Sequence, residues 1–347
     1  MQADTAGAAE SEYADDAIWR EAHVSALWRS TVAHREKMAE PAHIWRWRQM
    51  EPLIDRAIEA TGMAAAERRV LNLANPCFSS GDTTTRNLTG GLQVLLPGEA
   101  ARPHRHSMNA LRFVMQGSGA VTVVDGRRCA MEEGDFLLTP GGCWHEHRHE
   151  GQGRIVWFDA LDVPLHRHLG TADFQHGPAP ARSEMPGDEV CVVPNVVPEG
   201  LPPADHSPVF RYPWAWVKQA LQFAPFAADG SRRVRYVNPL TGGPVMSLID
   251  CSVMELEPGR PTLPVRSSAE SIGVVVEGEG RSRIGDDVLE WREKDILTLP
   301  KGVWITHDAA ARSRLFLVSD REILRRLGLL SEKIDGETAG TNGGEAQ

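Results

Sequence analysis

Leu96-Pro97-Gly98-Glu99-Ala100-Ala101-Arg102-Pro103-His104-Arg105-His106, followed by Gly134-Asp135-Phe136-Leu137-Leu138-Thr139-Pro140-Gly141-Gly142-Cys143-Trp144-His145, is the stretch that decides the fold. The first segment ends in a His-x-His pair behind a Pro-Gly turn. The second runs from a Gly turn through a short apolar run and a Pro-Gly turn to a third histidine. Alternate side chains of a strand share a face, so His104 and His106 point into one lumen. His145, on a strand across that lumen, completes one face of an octahedron. Imidazole suits Fe, Cu, Ni or Zn, so the ligand type alone does not choose the metal. Three neutral ligands leave a divalent ion's charge uncompensated, and such a site favours a chelating anion in its open positions.

Around this stretch, Val70–Leu73, Gly91–Leu96, Leu111–Gln116, Ala120–Val124, Phe136–Leu138 and Arg154–Phe158 read as strands. Asp125-Gly126 predicts a hairpin. Short strands with turns at this spacing predict a sandwich or barrel. The pattern then recurs. Gly98, Gly117, Pro140 and Gly142 match Gly259, Gly278, Pro300 and Gly302 at a shift of 160 or 161, so residues 88–160 and 249–320 form an internal repeat. In the second copy the histidine positions hold Val265, Ser267 and Ile305. That copy keeps the frame and lacks the metal site.

The expected organisation is an N-terminal helical arm at 1–68, a metal-binding barrel at 69–176, a linker and connecting segment at 177–243, a degenerate second barrel at 244–330 and a disordered tail at 331–347. Val24, Leu27, Trp28 and Val32 share one face of a helix from about Asp16 to Met38, ended by Pro41. A second helix is predicted over Glu51 to Ala60, with Pro52 in its first turn. Gly177 to Pro208 holds eight of the 23 prolines, as a linker wrapped over the surface does. Short helices are expected at Pro213–Phe223 and Arg321–Leu330.

A formal charge of −10 with no dense Lys/Arg block argues against a nucleic-acid partner. An anionic substrate therefore needs a local cationic site. No apolar run approaches the roughly 20 residues of a membrane span, and the acidic, Ala-rich N-terminus does not read as a signal peptide. The five cysteines lack CxxC spacing and look like free thiols of a cytoplasmic protein. Cys143 reads as a packed small residue.

The spacing G-x5-H-x-H-x3-Ala110-x6-G, then G-x5-P-x-G-x2-H, resembles the two cupin motifs. Cupins usually carry a Glu where Ala110 stands. Its loss resembles the gentisate 1,2-dioxygenase family, which includes salicylate and 1-hydroxy-2-naphthoate dioxygenases. Leu92-Gln93-Val94-Leu95-Leu96-Pro97-Gly98-Glu99, Ala110-Leu111-Arg112-Phe113-Val114, Trp144-His145-Glu146-His147 and Trp157-Phe158-Asp159-Ala160-Leu161-Asp162 also look like this family, as does Arg68-Arg69-Val70-Leu71.

The resemblance implies an all-β bicupin: two jelly-roll β-barrels with an N-terminal helical arm, the second cupin without metal ligands. It implies Fe(II) on His104, His106 and His145, and a homo-oligomer, tetrameric as in the family. It further implies that Arg112 and an Arg at 68 or 69 bind the substrate carboxylate, while Gln93, His147 and Asp159 shape the pocket. The reaction implied is O2-dependent opening of a salicylate-type ring between the carboxyl-bearing and hydroxyl-bearing carbons. The bare residues agree: Arg112, an even offset from His106, faces the same lumen, and its fork suits a carboxylate. The repeat sets Gly273 opposite Arg112 and Met254 opposite Gln93, so the substrate apparatus is missing along with the metal in the second copy.

His147 shares the parity of His145 and is read as a proton handler, although His307 occupies its place in the metal-free copy. The run from Thr89 to Gly91 is small where relatives carry a bulky aromatic. It points to a 5-substituted salicylate such as 5-nitrosalicylate. The competing readings are gentisate dioxygenase proper, a Zn- or Mn-dependent sugar isomerase, and a non-catalytic ligand sensor or storage cupin.

Overall fold

The computed structural model describes residues 21–24, 40–62, 68–178, 199 and 204–336. Two units are distinguished, Met1–Glu40 and Pro41–Gln347, and everything below belongs to the second. The helix expected from Asp16 to Met38 lies, but for residues 21–24, outside the described residues.

The first half runs β1 (Ile44–Trp45), α1 (Trp47–Ala60), β2 (Val70–Asn72), β3 (Thr89–Leu95), β4 (Ala100–His106), β5 (Ala110–Gln116), β6 (Ala120–Val124) and β7 (Arg127–Met131). It continues through β8 (Phe136–Thr139), β9 (His145–His149), β10 (Ile155–Leu161), α2 (Val163–Leu169), β11 (Phe174–His176), β12 (Arg211–Tyr212) and α3 (Trp214–Phe223). The second half follows as β13 (Arg232–Arg235), β14 (Asp250–Leu256), β15 (Val265–Ser267), β16 (Ser271–Glu277), β17 (Glu279–Ile284) and β18 (Asp287–Arg292). It ends with β19 (Ile296–Leu299), β20 (Ile305–Ala309), β21 (Ser313–Ser319), α4 (Arg321–Arg326) and β22 (Glu332–Ile334).

Among the described residues these strands form four antiparallel sheets. In the first repeat they are β12-β8-β5-β10-β3-β2 and β11-β4-β9-β6-β7, and in the second β1-β19-β16-β21-β14-β13 and β22-β15-β20-β17-β18. The two repeats match strand for strand. His104 pairs with His145 in the first and Val265 with Ile305 in the second. Asp159 pairs with Arg112, and Leu317 with Gly273. The repeat inferred from turn glycines is therefore a repeat of ladders. β1, from the N-terminal segment, completes a sheet of the second repeat as β12 completes one of the first. The tail expected to lack structure from residue 331 instead begins with a paired strand, β22 against β15.

The expectation of two closed jelly-roll barrels is corrected. Among the described residues no sheet closes on itself: each repeat is two open sheets, and five of the eight edge strands have only two or three residues. β1 and β12 have two residues each, and β2, β11 and β22 three. Alternation shows which side chains face inward, but not whether the outer strands find each other. Short edges end pairing without offering a long unpaired template.

Inward and outward faces are buried separately. In β5 and β21 the outward side chains Phe113 and Phe316 stack at 4.5 Å and 17°, joining the six-stranded sheets of the two repeats back to back. Phe136 and Tyr236 extend this aromatic seam. The inward faces differ: Arg112 and Asp159 in the first repeat, Leu315 and Leu317 in the second. Asp125 and Gly126 both take positive φ, 47° and 85°, and turn β6 into β7 as their sequence predicts.

α1 starts four residues before its expected first residue, because its cap comes from elsewhere in the fold. The Trp47 N–H donates to Asp295 Oδ1 of the second repeat at 2.8 Å. Pro52 thus stands inside the helix, on its exposed side. α4 ends at Arg326, and Gly328 (φ 70°) follows. No helix among the described residues is long and apolar enough to cross a membrane.

Candidate active site

β4 and β9 bring His104, His106 and His145 together, with a ligand nitrogen of each within 4.8 Å of the others. The alternating positions 104 and 106 share the inner face of β4, and the ladder register sets His145 directly opposite His104. Gly141 and Gly142 hold this junction. A side chain at Gly141 would run into the Ser107 carbonyl oxygen, and Gly142, at φ 82°, donates its N–H to His106 O at 2.7 Å.

Each imidazole is oriented by a carbonyl. Nδ1 of His104 lies 2.8 Å from Arg102 O, that of His106 2.8 Å from Met108 O, and that of His145 3.0 Å from Cys143 O. A carbonyl only accepts, so each Nδ1 carries the proton and each Nε2 keeps its lone pair. Burial pushes the His104 pKa down to about 3 and that of His106 to about 4, and holds His145 well below its ordinary value. All three are neutral at pH 7. His145 Nε2 is buried without a hydrogen-bond partner. Oriented, neutral and with Nε2 lone pairs to offer, the cluster fits an imidazole-bound divalent metal.

Arg112 is buried beside this cluster. Its Nε is in ionic contact with Asp159 Oδ1 at 3.3 Å, without hydrogen-bond alignment, and its Nη1 donates to Thr139 Oγ1. Asp159 Oδ2 accepts the Trp157 indole N–H at 3.0 Å. Burial raises the Asp159 pKa to about 6 against the opposing charge of Arg112.

Arg68 and Arg69, which the sequence left as alternatives, diverge. Arg68 Nη1 approaches His104 Nε2 at 3.3 Å, and its guanidinium lies 4.8 Å from the centre of the Phe174 ring. Arg69 instead pairs with Glu99, whose other oxygen accepts Leu96 N–H at 2.8 Å. Consecutive residues of an extended chain point to opposite sides.

The inner face of β3 carries Thr89, Gly91 and Gln93, and Gly91 pairs with Asp159. The Thr89 hydroxyl and Gln93 Nε2 are buried without partners. The room expected at Gly91 is partly taken, because a Cβ there would lie 2.8 Å from Val70 Cγ1. His147 is fully buried, with Nδ1 2.9 Å from Thr122 Oγ1 and Nε2 unpartnered. Burial first, then the charge of Arg112, holds its pKa well below the ordinary value. Its counterpart His307 has the same kind of partner, Ser282 at 2.8 Å. The hydroxyl contact thus belongs to the shared frame. His149, bonded to Gly153 O at 2.7 Å, packs at the edge, and Cys143 is outside the metal cluster.

Sequence reasoning missed Phe174, Thr139 and Val70. Phe174 stacks on His104 at 5.4 Å and 18° from the edge strand β11, and with Arg68 and His176 lines a mouth of about 390 Å³. A three-residue strand before a proline-rich segment carries no periodicity by which to find it.

The cupin domain family matches residues 91–164. Over 322 residues the chain is 34% identical to gentisate 1,2 dioxygenase 1 of Aquipseudomonas alcaligenes, covering 88% of this chain and 91% of that one. It is 33% identical to a 5-aminosalicylate 1,2-dioxygenase of a Comamonas species, over 87% of this chain and 84% of the relative. The crystal structure of a salicylate 1,2-dioxygenase from Pseudaminobacter salicylatoxidans superposes with a TM-score of 0.88 at 29% identity, over 94% of this chain and 98% of that one. With the three-histidine cluster in place at the cupin motifs, the chain belongs to the gentisate/salicylate 1,2-dioxygenase family of the cupins, non-haem Fe(II) enzymes that open a salicylate-type ring with O2.

Proposed function

We propose that His104, His106 and His145 hold the Fe(II) of this ring-cleaving dioxygenase through Nε2. Arg112 and Arg68 receive the substrate carboxylate, and His147 handles the proton of the ring hydroxyl. The observation that carries the reading is the cluster of three buried, neutral imidazoles with two guanidiniums beside it. Bound Fe(II) supplies the open coordination positions and the electrons through which O2 and the ring react. The neutral ligands leave its charge for the substrate to balance, which favours an ortho-hydroxy carboxylate.

Arg112, held between Asp159 and Thr139, is positioned before substrate arrives, so little conformational freedom is lost on binding. Arg68 reaches His104 from beside Phe174. Gln93 Nε2, buried without a partner, is a donor for a substrate oxygen. The Thr122 hydroxyl can donate or accept, so His147 can take either tautomer. Its Nε2 can therefore accept the proton of the ring hydroxyl and return it.

We infer a salicylate carrying a small polar group at ring position 5, such as gentisate, 5-aminosalicylate or 5-nitrosalicylate. Thr89 supports this, with a buried unpartnered hydroxyl in the strand where a bulky aromatic is expected. Val70, filling the space beside Gly91, favours the smaller of these acids and keeps gentisate as the second reading. The family resemblance also supports a homo-tetramer in the cytoplasm, which sedimentation and cell fractionation test. For the substrate, the protein is loaded anaerobically with Fe(II) and screened for oxygen consumption with salicylate, gentisate, 5-aminosalicylate, 5-nitrosalicylate and 1-hydroxy-2-naphthoate. Turnover of the 5-substituted acids above salicylate and naphthoate is expected. Turnover of gentisate with none of the other 5-substituted acids selects the second reading, and preference for unsubstituted salicylate or the naphthoate removes both.

A further inference from the structure

The second repeat has lost the metal ligands but not the space. A cavity of about 560 Å³ lies on the inner face of its sheets, where Val265 and Ile305 occupy the places of His104 and His145. Sites for small molecules span about 300–1,000 Å³. The cavity walls are apolar at Val265, Ile305 and Leu317 and polar at His307 and at three ion pairs, Arg233 with Asp229, Arg235 with Asp250 and Arg321 with Glu332.

His307 is 6% exposed. Its Nδ1 lies 2.8 Å from Ser282 Oγ, and that oxygen accepts the Trp291 indole N–H at 2.9 Å. Ser282 is fully buried, and these two groups are its side-chain partners among the described residues. Its single O–H proton therefore goes to His307 Nδ1. Burial pushes the His307 pKa down to about 4, so the ring is neutral and carries its proton on Nε2. Nothing among the described residues accepts that N–H. The first repeat has Met131 where the second has Trp291, so the corresponding tautomer of His147 is left unfixed.

Arg233 lines the same cavity, and its charge is felt at the ring. Its Nη2 is held on Asp229 at 2.6 Å and its Nε on Ser231 Oγ at 2.9 Å. Its Nη1 has no acceptor among the described residues. At His307 the charge of Arg233 outweighs that of Asp229. The cavity wall thus offers a fixed N–H donor and the free edge of a guanidinium held by Asp229, facing apolar walls.

We propose that this cavity binds a small carboxylic acid with an apolar body, its carboxylate accepting from His307 Nε2–H and Arg233 and its body lying against Val265, Ile305 and Leu317. The site is separate from the Fe(II) centre. Benzoate, which lacks a chelating ortho hydroxyl, is the probe. Calorimetric titration of the full-length Fe(II)-loaded protein is made in the Arg112→Leu form, which removes one of the two guanidiniums assigned to the first-repeat carboxylate, and in the Arg112→Leu/Arg233→Met form, whose added change touches the second-repeat cavity alone. Arg112→Leu retains one saturable binding event, and Arg233→Met weakens it by about tenfold or more, as loss of a charged hydrogen bond requires. Wild-type crystals soaked in 4-bromobenzoate give a test that needs no variant: bromine anomalous density appears in the second-repeat cavity. Absence of saturable binding in Arg112→Leu, binding indifferent to Arg233→Met, or no bromine in that cavity overturns the proposal.

Discussion

A positive charge aimed at a buried metal cluster must be balanced, and Arg112 meets this with Asp159 rather than with solvent. The pair leaves the guanidinium fixed, and a fixed fork is what a lysine cannot reproduce. Arg112→Lys is therefore expected to lower kcat/KM by about 10- to 100-fold, the loss of one charged hydrogen bond of about 1.5–3 kcal/mol, with thermal stability little changed. Steady-state oxygen uptake measures it. The neighbouring arginines separate in the same assay: Arg68→Lys raises KM, whereas Arg69→Lys, altering a pair with Glu99 at the turn after β3, changes stability and leaves KM alone. The family resemblance nominated Arg112 and parity agreed with it, because six residues from His106 is an even number. It did not separate Arg68 from Arg69, since the face depends on where β2 begins. Val70 and Phe174 were invisible for a related reason: an ordinary apolar residue carries no mark of the cavity it borders.

At the scale of elements, the site depends on how β4 ends and β9 begins. Gly141 lets the turn before His145 touch the Ser107 carbonyl, immediately after His106. Gly141→Ala must separate the two strands, so Fe(II) affinity is expected to fall by about tenfold or more, as with other changes that disturb ligand orientation. Unchanged circular dichroism and a weaker competitive chelation constant are the signature, and unchanged affinity refutes the clamp. A second element-level prediction concerns α1. Removing the carboxylate that accepts the Trp47 N–H, by Asp295→Ala, is expected to lower stability by about 1–2 kcal/mol, read as a lower urea midpoint. The repeat and the hairpin at Asp125-Gly126 were legible because positive-φ turns leave glycines at fixed offsets. Sheet closure and the cap on α1 were not, because each depends on a partner far along the chain.

Across the whole molecule, the repeats are joined by an aromatic seam and by a buried acidic junction. Phe316 packs between Phe113 and Phe136, and Phe316→Ala is expected to cost about 3–5 kcal/mol. The junction is less simple. Asp320 is 2% exposed, accepts Asn87 Nδ2–H at 2.7 Å and Glu270 N–H at 2.8 Å, and stands near the Glu270 carboxylate, itself 3.4 Å from Lys301. Burial raises its pKa to about 6, Asn87 and the Glu270 N–H oppose that rise, and the Glu270 charge adds to it. The folded state therefore holds this proton more tightly than the unfolded chain, whose aspartate titrates near about 3.9. The stability contributed by the proton is fully present below the unfolded value and is lost as pH rises through about 6. Asp320→Asn removes the ionisation while keeping a carbonyl for the Glu270 N–H, and Asn87 can rotate its amide to accept from the new one. The variant should then be more stable than wild type at pH 8, and that advantage should shrink steadily between pH 6 and pH 4. Urea denaturation of both proteins across this range decides it. An advantage that does not change with pH would mean that Asp320 is not the group titrating at the junction.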